Sequence, residues 1–194
     1  MLKIPIEISA RHIHLAQKDL EVLFGLNYQL TPIKELSQHG QFVCKEIVEA
    51  QNLTSWGAKP HMDFTFGKAP DHNQVRILGP AREYTQVELS WTDFVYLGLK
   101  PLVVLSGEQK KSQQELILVG PKGEIKLQKG IIIAKRHIHA STLDLKKYHL
   151  KDGQKVSVKI KSERGLIFNE VIIRADPSFV WTMHIDIDEA NAAG

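Results

Sequence analysis

Residues 4–14, Ile4-Pro5-Ile6-Glu7-Ile8-Ser9-Ala10-Arg11-His12-Ile13-His14, are answered two-thirds of the way along the chain by Ile131-Ile132-Ile133-Ala134-Lys135-Arg136-His137-Ile138-His139. In both places a β-branched, apolar run, which favours extended backbone, leads into the tetrapeptide Arg-His-Ile-His. Successive side chains of a strand point to opposite faces, so His12 and His14 share one face while Arg11 and Ile13 share the other. The second tetrapeptide has the same geometry. The match also runs on, because Asp19-Leu20 lies as far beyond the first copy as Asp144-Leu145 lies beyond the second. Self-similarity at a fixed offset marks an internal duplication.

A single His-x-His on a strand is usually two ordinary polar positions. Two such pairs in matched settings point instead to metal, because neutral imidazole is the commonest metal-ligating side chain and suits zinc, copper, iron and nickel.

Composition narrows the chemistry. The chain has 194 residues, enough for one large domain or two small ones, and its 43% hydrophobic content suffices for ordinary buried cores. Its 25 basic and 22 acidic residues are scattered, leaving a net charge of +3 without a basic block, so nucleic acid is not an expected partner. Cys44 is the only cysteine, which rules out an internal disulfide and thiolate-rich zinc sites and fits a reducing, cytoplasmic compartment. The first ten residues lack the features of a signal peptide. The most apolar stretch, 94–105, is interrupted by Lys100-Pro101 and is shorter than the roughly 20 residues a membrane helix needs, so no membrane span is expected.

Read in order, residues 2–10 form a strand delivering the first histidine pair, and 19–24 have helical spacing up to Gly25. Residues 27–40 carry turn chemistry, and 41–50 read as a strand. Residues 51–74 show no sustained period and read as a long loop; His61, Asp63, Asp71 and His72 within it lack the spacing of a metal site. Strands follow at 75–78 and 85–90 around Gly79-Pro80, and Leu118-Val119-Gly120-Pro121 echoes Ile77-Leu78-Gly79-Pro80. Ser141 is a candidate N-cap for a helix over 142–148, with Asp144 in its first turn. The short alternating segments at 155–160, 166–173 and 180–187 are strands of a small barrel or sandwich rather than of a parallel α/β sheet. Taken alone, Arg82, Glu88 and His184 read as two surface charges and a hydrogen-bonded strand histidine. The chain has no phosphate-binding glycine loop, no dinucleotide fingerprint and no nucleophile elbow.

The segments SARHIHL (9–15), RILGPAREYTQVELS (76–90), AKRHIHAS (134–141) and MHIDIDEANAAG (183–194) resemble, in order and along the whole chain, the signature blocks of the PduL-type phosphotransacylases, or phosphate propanoyltransferases. The resemblance implies a mainly β fold of two small β-barrels capped by short helices, with the N-terminal strand joining the C-terminal barrel. Domain one would then be residues 1–10 plus 135–194, and domain two residues 11–134 with the long loop 51–74. It implies two metal ions per chain, usually zinc, in a site between the barrels. His12, His14 and Glu88 would hold one ion and His137, His139 and His184 the other, with Arg82 binding phosphate. The implied reaction moves a propanoyl or acetyl group between coenzyme A and inorganic phosphate, in a homodimer. Direct attack of phosphate fits, because arginine and metals are on offer while an activated protein nucleophile is not. A metal-dependent thioester hydrolase and a non-catalytic metal-binding interaction protein are the alternatives.

Trp91, Phe94, Val104 and Ala140 depart from the family pattern; none is an implied ligand, but the lost positive charge could weaken coenzyme A binding and the aromatic residues could reshape the acyl pocket. With ten residues ahead of the first Arg-His-Ile-His, no microcompartment-targeting extension is evident.

Overall fold

The computed structural model describes residues 2–52, 73–108 and 111–194. The protein is mainly β with short helices, as the sequence led one to expect, and its sheet curls into a half-barrel. The first apolar run is β1 (Ile6–Ser9), and the first histidine pair is a separate strand, β2 (His12–His14), followed by α1 (Gln17–Phe24). Next come β3 (Pro32–Glu35), β4 (Phe42–Gln51), β5 (Gln74–Gly79), β6 (Gln86–Glu88), α2 (Trp91–Tyr96) and β7 (Val103–Val104). The hairpin of β8 (Leu116–Val119) and β9 (Glu124–Leu127) precedes the second apolar run, β10 (Ile131–Ala134), and the second histidine pair, β11 (His137–Ala140). The chain ends with α3 (Thr142–Tyr148), β12 (Lys155–Lys159), β13 (Ile167–Ala175), β14 (Thr182–Asp186) and α4 (Ile187–Ala193).

Two sheets result. One has the order β1-β14-β11-β13-β12, the other β7-β10-β6-β2-β5-β4-β8-β9 with β3 beside β4. Each has its own core. Ile13, Leu20, Leu23, Ile77, Phe94 and Leu116 pack in the larger, and Ile138, Val171, Ile173 and Met183 in the smaller.

The strand ahead of each histidine pair belongs to the opposite sheet. β1 runs parallel to β14 with Glu7 opposite His184, while β10 runs parallel to β6 with Ile132 opposite Glu88. Glu7 and Ile132 each lie five residues before the first histidine of their own pair, so the duplicated halves exchange equivalent strands. Residues 2–10 therefore do not form one strand that carries the histidines. The chain leaves the small sheet after Ser9 and enters the large one at His12, because Ile13 is fully buried in the larger core.

Other local readings also change. The turn-rich stretch 27–40 contains β3, an edge strand paired with β4; all of its residues are exposed, so no buried-and-exposed alternation marks it. The helices α2 and α4 are too short, at 6 and 7 residues, for a helical period to stand out. The loop expected at 51–74 is bounded by β4 and β5, and its interior, with His61, Asp63, Phe64, Phe66, Asp71 and His72, lies outside the described residues. Gly120 is required by packing: a Cβ there would lie 2.5 Å from the Leu23 carbonyl oxygen at the end of α1.

Candidate metal centre

The histidine pairs face a common space because the isoleucine between them faces the other way. Ile13 and Ile138 are 0% and 3% exposed in their separate cores, which turns the flanking imidazoles toward the gap between the sheets. The ring centroids lie 5.2 Å apart in the first pair and 4.7 Å apart in the second. Cross-strand register supplies a third side chain to each. Antiparallel pairing of β2 with β6 sets Glu88 opposite His12, and antiparallel pairing of β11 with β14 sets His184 opposite His137. Glu88 and His184 are thus equivalent positions of the duplication, occupied by a carboxylate in one copy and an imidazole in the other.

In the first trio one ligand atom from each of His12, His14 and Glu88 lies within 4.8 Å of the others. His12 Nδ1 donates to the Ala10 carbonyl at 2.9 Å, leaving Nε2 with its lone pair 3.7 Å from Glu88 Oε2. Glu88 Oε1 is engaged elsewhere, accepting from the Gln86 amide and the Ser106 hydroxyl, each at 2.6 Å. Its other oxygen is the one turned to the histidine.

In the second trio His137 Nδ1 repeats the first copy, donating to the Lys135 carbonyl at 2.8 Å. Its Nε2 stands 3.1 Å from His139 Nε2, close to the roughly 3.3 Å edge between two nitrogens bound tetrahedrally at about 2.0–2.1 Å from one zinc ion. His184 stacks on His137 with centroids 5.2 Å apart and turns Nδ1 toward Glu7 Oε2 at 3.8 Å. The Gln38 amide reaches across from the larger sheet's loop to His139 Nδ1 at 2.7 Å.

The donor sets fit divalent metal. Among the described residues, His14 Nδ1 and His184 Nε2, one in each trio, are buried with no hydrogen-bond partner, a costly state for a polar nitrogen unless a ligand completes it. Electrostatics keep the ligands in binding form. Burial, with the nearby His12 and Arg82, pulls His14 down to about 2; burial, with His137 and His184, does the same to His139. Burial also takes His137 down to about 4 and lowers His184. For Glu88, burial pushes upward, yet His12, the Ser106 hydroxyl and His14 outweigh it and hold the carboxyl at about 2. Neutral imidazoles and an ionised carboxylate are the states that bind metal.

Both trios open into one cavity of about 560 Å³ between the sheets, which Arg82 also lines. Arg82 is fixed beside the first pair by its backbone N–H, which donates to Leu15 O at 2.8 Å, and its guanidinium donates to Gln41 Oε1 at 3.3 Å. The structure therefore brings all seven sequence-derived site residues together. Gln38, Gln86 and Ser106 went unnoticed in the sequence, where an isolated Gln or Ser carries no signal; only the pairing of distant loops gives them partners. Of the four departures from the family pattern, none lines this cavity. Phe94, Val104 and Ala140 are buried, and Trp91 is 53% exposed. Phe94 fills the core beneath α2.

Comparison with known proteins accords with this arrangement. The family model for phosphate propanoyltransferase matches residues 5–194. Proteins named phosphate propanoyltransferase are similar to the chain: that of Leptotrichia buccalis is 44% identical over 97% of the chain and 82% of its own length. Those of Lachnoclostridium phytofermentans and Thermotoga maritima are 46% and 44% identical, over 98% and 96% of the chain and 82% and 81% of their own lengths. A match of this extent, on a fold that gathers the motif residues around one cavity, places the chain in the phosphate propanoyltransferase family of acyltransferases.

Proposed function

We propose that the protein transfers a short acyl group, propanoyl or acetyl, between coenzyme A and inorganic phosphate at a site for two divalent ions, with zinc the natural occupant of such nitrogen-rich sets. His12, His14 and Glu88 hold one ion, and His137, His139 and His184 the other. The observation that carries this reading is the single cavity whose walls contain both trios and Arg82. The division into residues 1–10 with 135–194 and residues 11–134 belongs to the same proposal, supported by the separate cores and by β1 pairing with β14.

In the forward direction a phosphate oxygen attacks the thioester carbonyl, the carbon–sulfur bond breaks, and the proton of hydrogen phosphate leaves with the sulfur as thiol. When bound, ions held by the two trios would supply Lewis acidity and an affinity for sulfur. Arg82 presents two parallel N–H donors to the phosphate and stays charged at any relevant pH, although burial lowers its pKa. Placing the nucleophile beside the acyl group removes much of the entropic barrier, so no covalent acyl-enzyme is needed. Buried Cys44, whose thiol burial pushes up to about 11, is unsuited to be a nucleophile.

The test is thiol release from propanoyl-coenzyme A by zinc-loaded protein with and without phosphate. Release that depends on phosphate, with acyl phosphate formed in equal amount, is expected. Equal release without phosphate would establish a thioester hydrolase, and metal retention without turnover a non-catalytic protein.

A further inference from the structure

The arginines lining the central cavity have protein partners, with one exception. Arg11 pairs with Asp93 at 2.9 Å, Arg76 Nη1 donates to the Cys44 and Lys45 carbonyls, and Arg82 donates to Gln41. Arg174 lines the same cavity from β13, where the parallel register sets it beside His139, and it is partly buried. Among the described residues its guanidinium makes no hydrogen bond or ion pair. The cavity's carboxylates do not answer it: Glu88 is held by Gln86 and Ser106 next to His12, and Glu7 accepts from Ser37 Oγ next to His184. Its charge is nevertheless felt across the site, lowering the pKa values of Arg82, His137, His139 and His184.

A guanidinium is a rigid fork of five donors, and withdrawing it from water without a partner is unfavourable. In a cavity that satisfies its other arginines, the unanswered fork is a receptor for an anion brought from outside. We propose that Arg174 is the second half of a phosphate clamp, gripping the phosphate co-substrate from the smaller sheet while Arg82 grips it from the larger one. This rests on the phosphotransfer reading above. The position favours the reacting phosphate over the phosphates of coenzyme A, since Arg174 is in register with a ligand of the second trio, whereas coenzyme A carries its phosphates at the far end of a long pantetheine arm from the thioester. A dianion forked from both sheets has its free oxygen fixed in direction, which one arginine alone does not achieve.

Arg174→Gln and Arg174→Lys, loaded with zinc, test the clamp by calorimetric titration with inorganic phosphate, metal counting and steady-state kinetics. Arg174→Gln is expected to weaken phosphate binding and raise the phosphate KM roughly tenfold, about 1.4 kcal/mol, with metal content retained and the acyl-coenzyme A KM changed less than about twofold. Arg174→Lys, which keeps the charge and loses the fork, should recover part of the loss. Unchanged phosphate affinity in both variants overturns the proposal. So does a defect confined to the acyl-coenzyme A KM that disappears with a dephospho-coenzyme A thioester, which would assign Arg174 to the 3′-phosphate. Loss of metal in parallel with phosphate binding would make the residue structural and also overturn it. If Arg174→Gln does not fold, the lysine variant decides: weakened phosphate binding with full metal content supports the clamp, wild-type affinity sinks it. Wild-type protein that binds phosphate but releases no thiol would defeat the functional reading while leaving the clamp readable from binding alone.

Discussion

Ile13 and Ile138 show how one apolar residue aims two polar ones: each is sunk in its own core, and the flanking imidazoles have no direction left but the gap between the sheets. The backbone carbonyls of Ala10 and Lys135 then select which nitrogen of the leading histidine keeps its lone pair. Gln38 orients His139 from across the gap, so Gln38→Leu should weaken metal binding at the second trio about 10–100-fold, measured by competition with a chromogenic chelator, while the first trio keeps its ion. The lowered histidine pKa values also set a pH dependence for metal-free protein. Below 6.5 the unfolded imidazoles take up protons that folded His14, His137 and His139 refuse down to about 2, 4 and 2, so the unfolded state binds more protons and stability is lost as the pH is lowered. Glu88, held at about 2 against an ordinary 4.5, adds to the loss below 4.5. Thermal denaturation followed from neutral pH downward should therefore show a midpoint that begins to drop near 6.5 and drops more steeply below 4.5.

Among the elements, the duplication is carried by helix caps as much as by strands. The helix after each third member of the two trios, α2 after Glu88 and α4 after His184, opens with a capping box, Ser90 with Asp93 and Asp186 with Glu189. The arginine of the corresponding Arg-His-Ile-His reaches the acid of that box, Arg11 to Asp93 at 2.9 Å and Arg136 to Glu189 at 3.0 Å. Each ligand strand is thereby tied to the helix that follows its partner. Asp93 is 1% exposed, so Arg11→Met should cost about 3 kcal/mol, whereas Arg136→Met, at a more exposed pair, should cost about 1 kcal/mol; denaturant titrations of the two variants compare them. The helices after the histidine pairs diverge in chemistry while keeping position. In α3 Ser141 and Asp144 form the box, and Ser141→Ala should cost about 1 kcal/mol by the same measurement. In α1 the cap is Ala16, and Thr85 from the neighbouring segment substitutes: its hydroxyl accepts the Ala16 N–H at 2.8 Å and donates to Asp19.

For the molecule as a whole, the exchange of β1 and β10 means that each sheet borrows a strand from the other half. Leu20→Ala in the larger core and Ile173→Ala in the smaller should each cost about 2–5 kcal/mol and lower the midpoint of one shared calorimetric transition; two separating transitions would show that the halves unfold alone. Much of this protein was written locally. The repeated tetrapeptide, the strand alternation that pairs its histidines, and the Ser141 cap depend on neighbours within a few residues, and those are legible without a fold. Glu88 and His184 were not legible from spacing, and their selection leaned on family likeness, because unlike residues become equivalent only through cross-strand register. The exchange of strands, the reach of Gln38 and the unanswered guanidinium of Arg174 belonged to the tertiary structure alone. Side-chain direction along a strand is set by local backbone geometry, whereas partners far apart in sequence are chosen by which surfaces must be buried together.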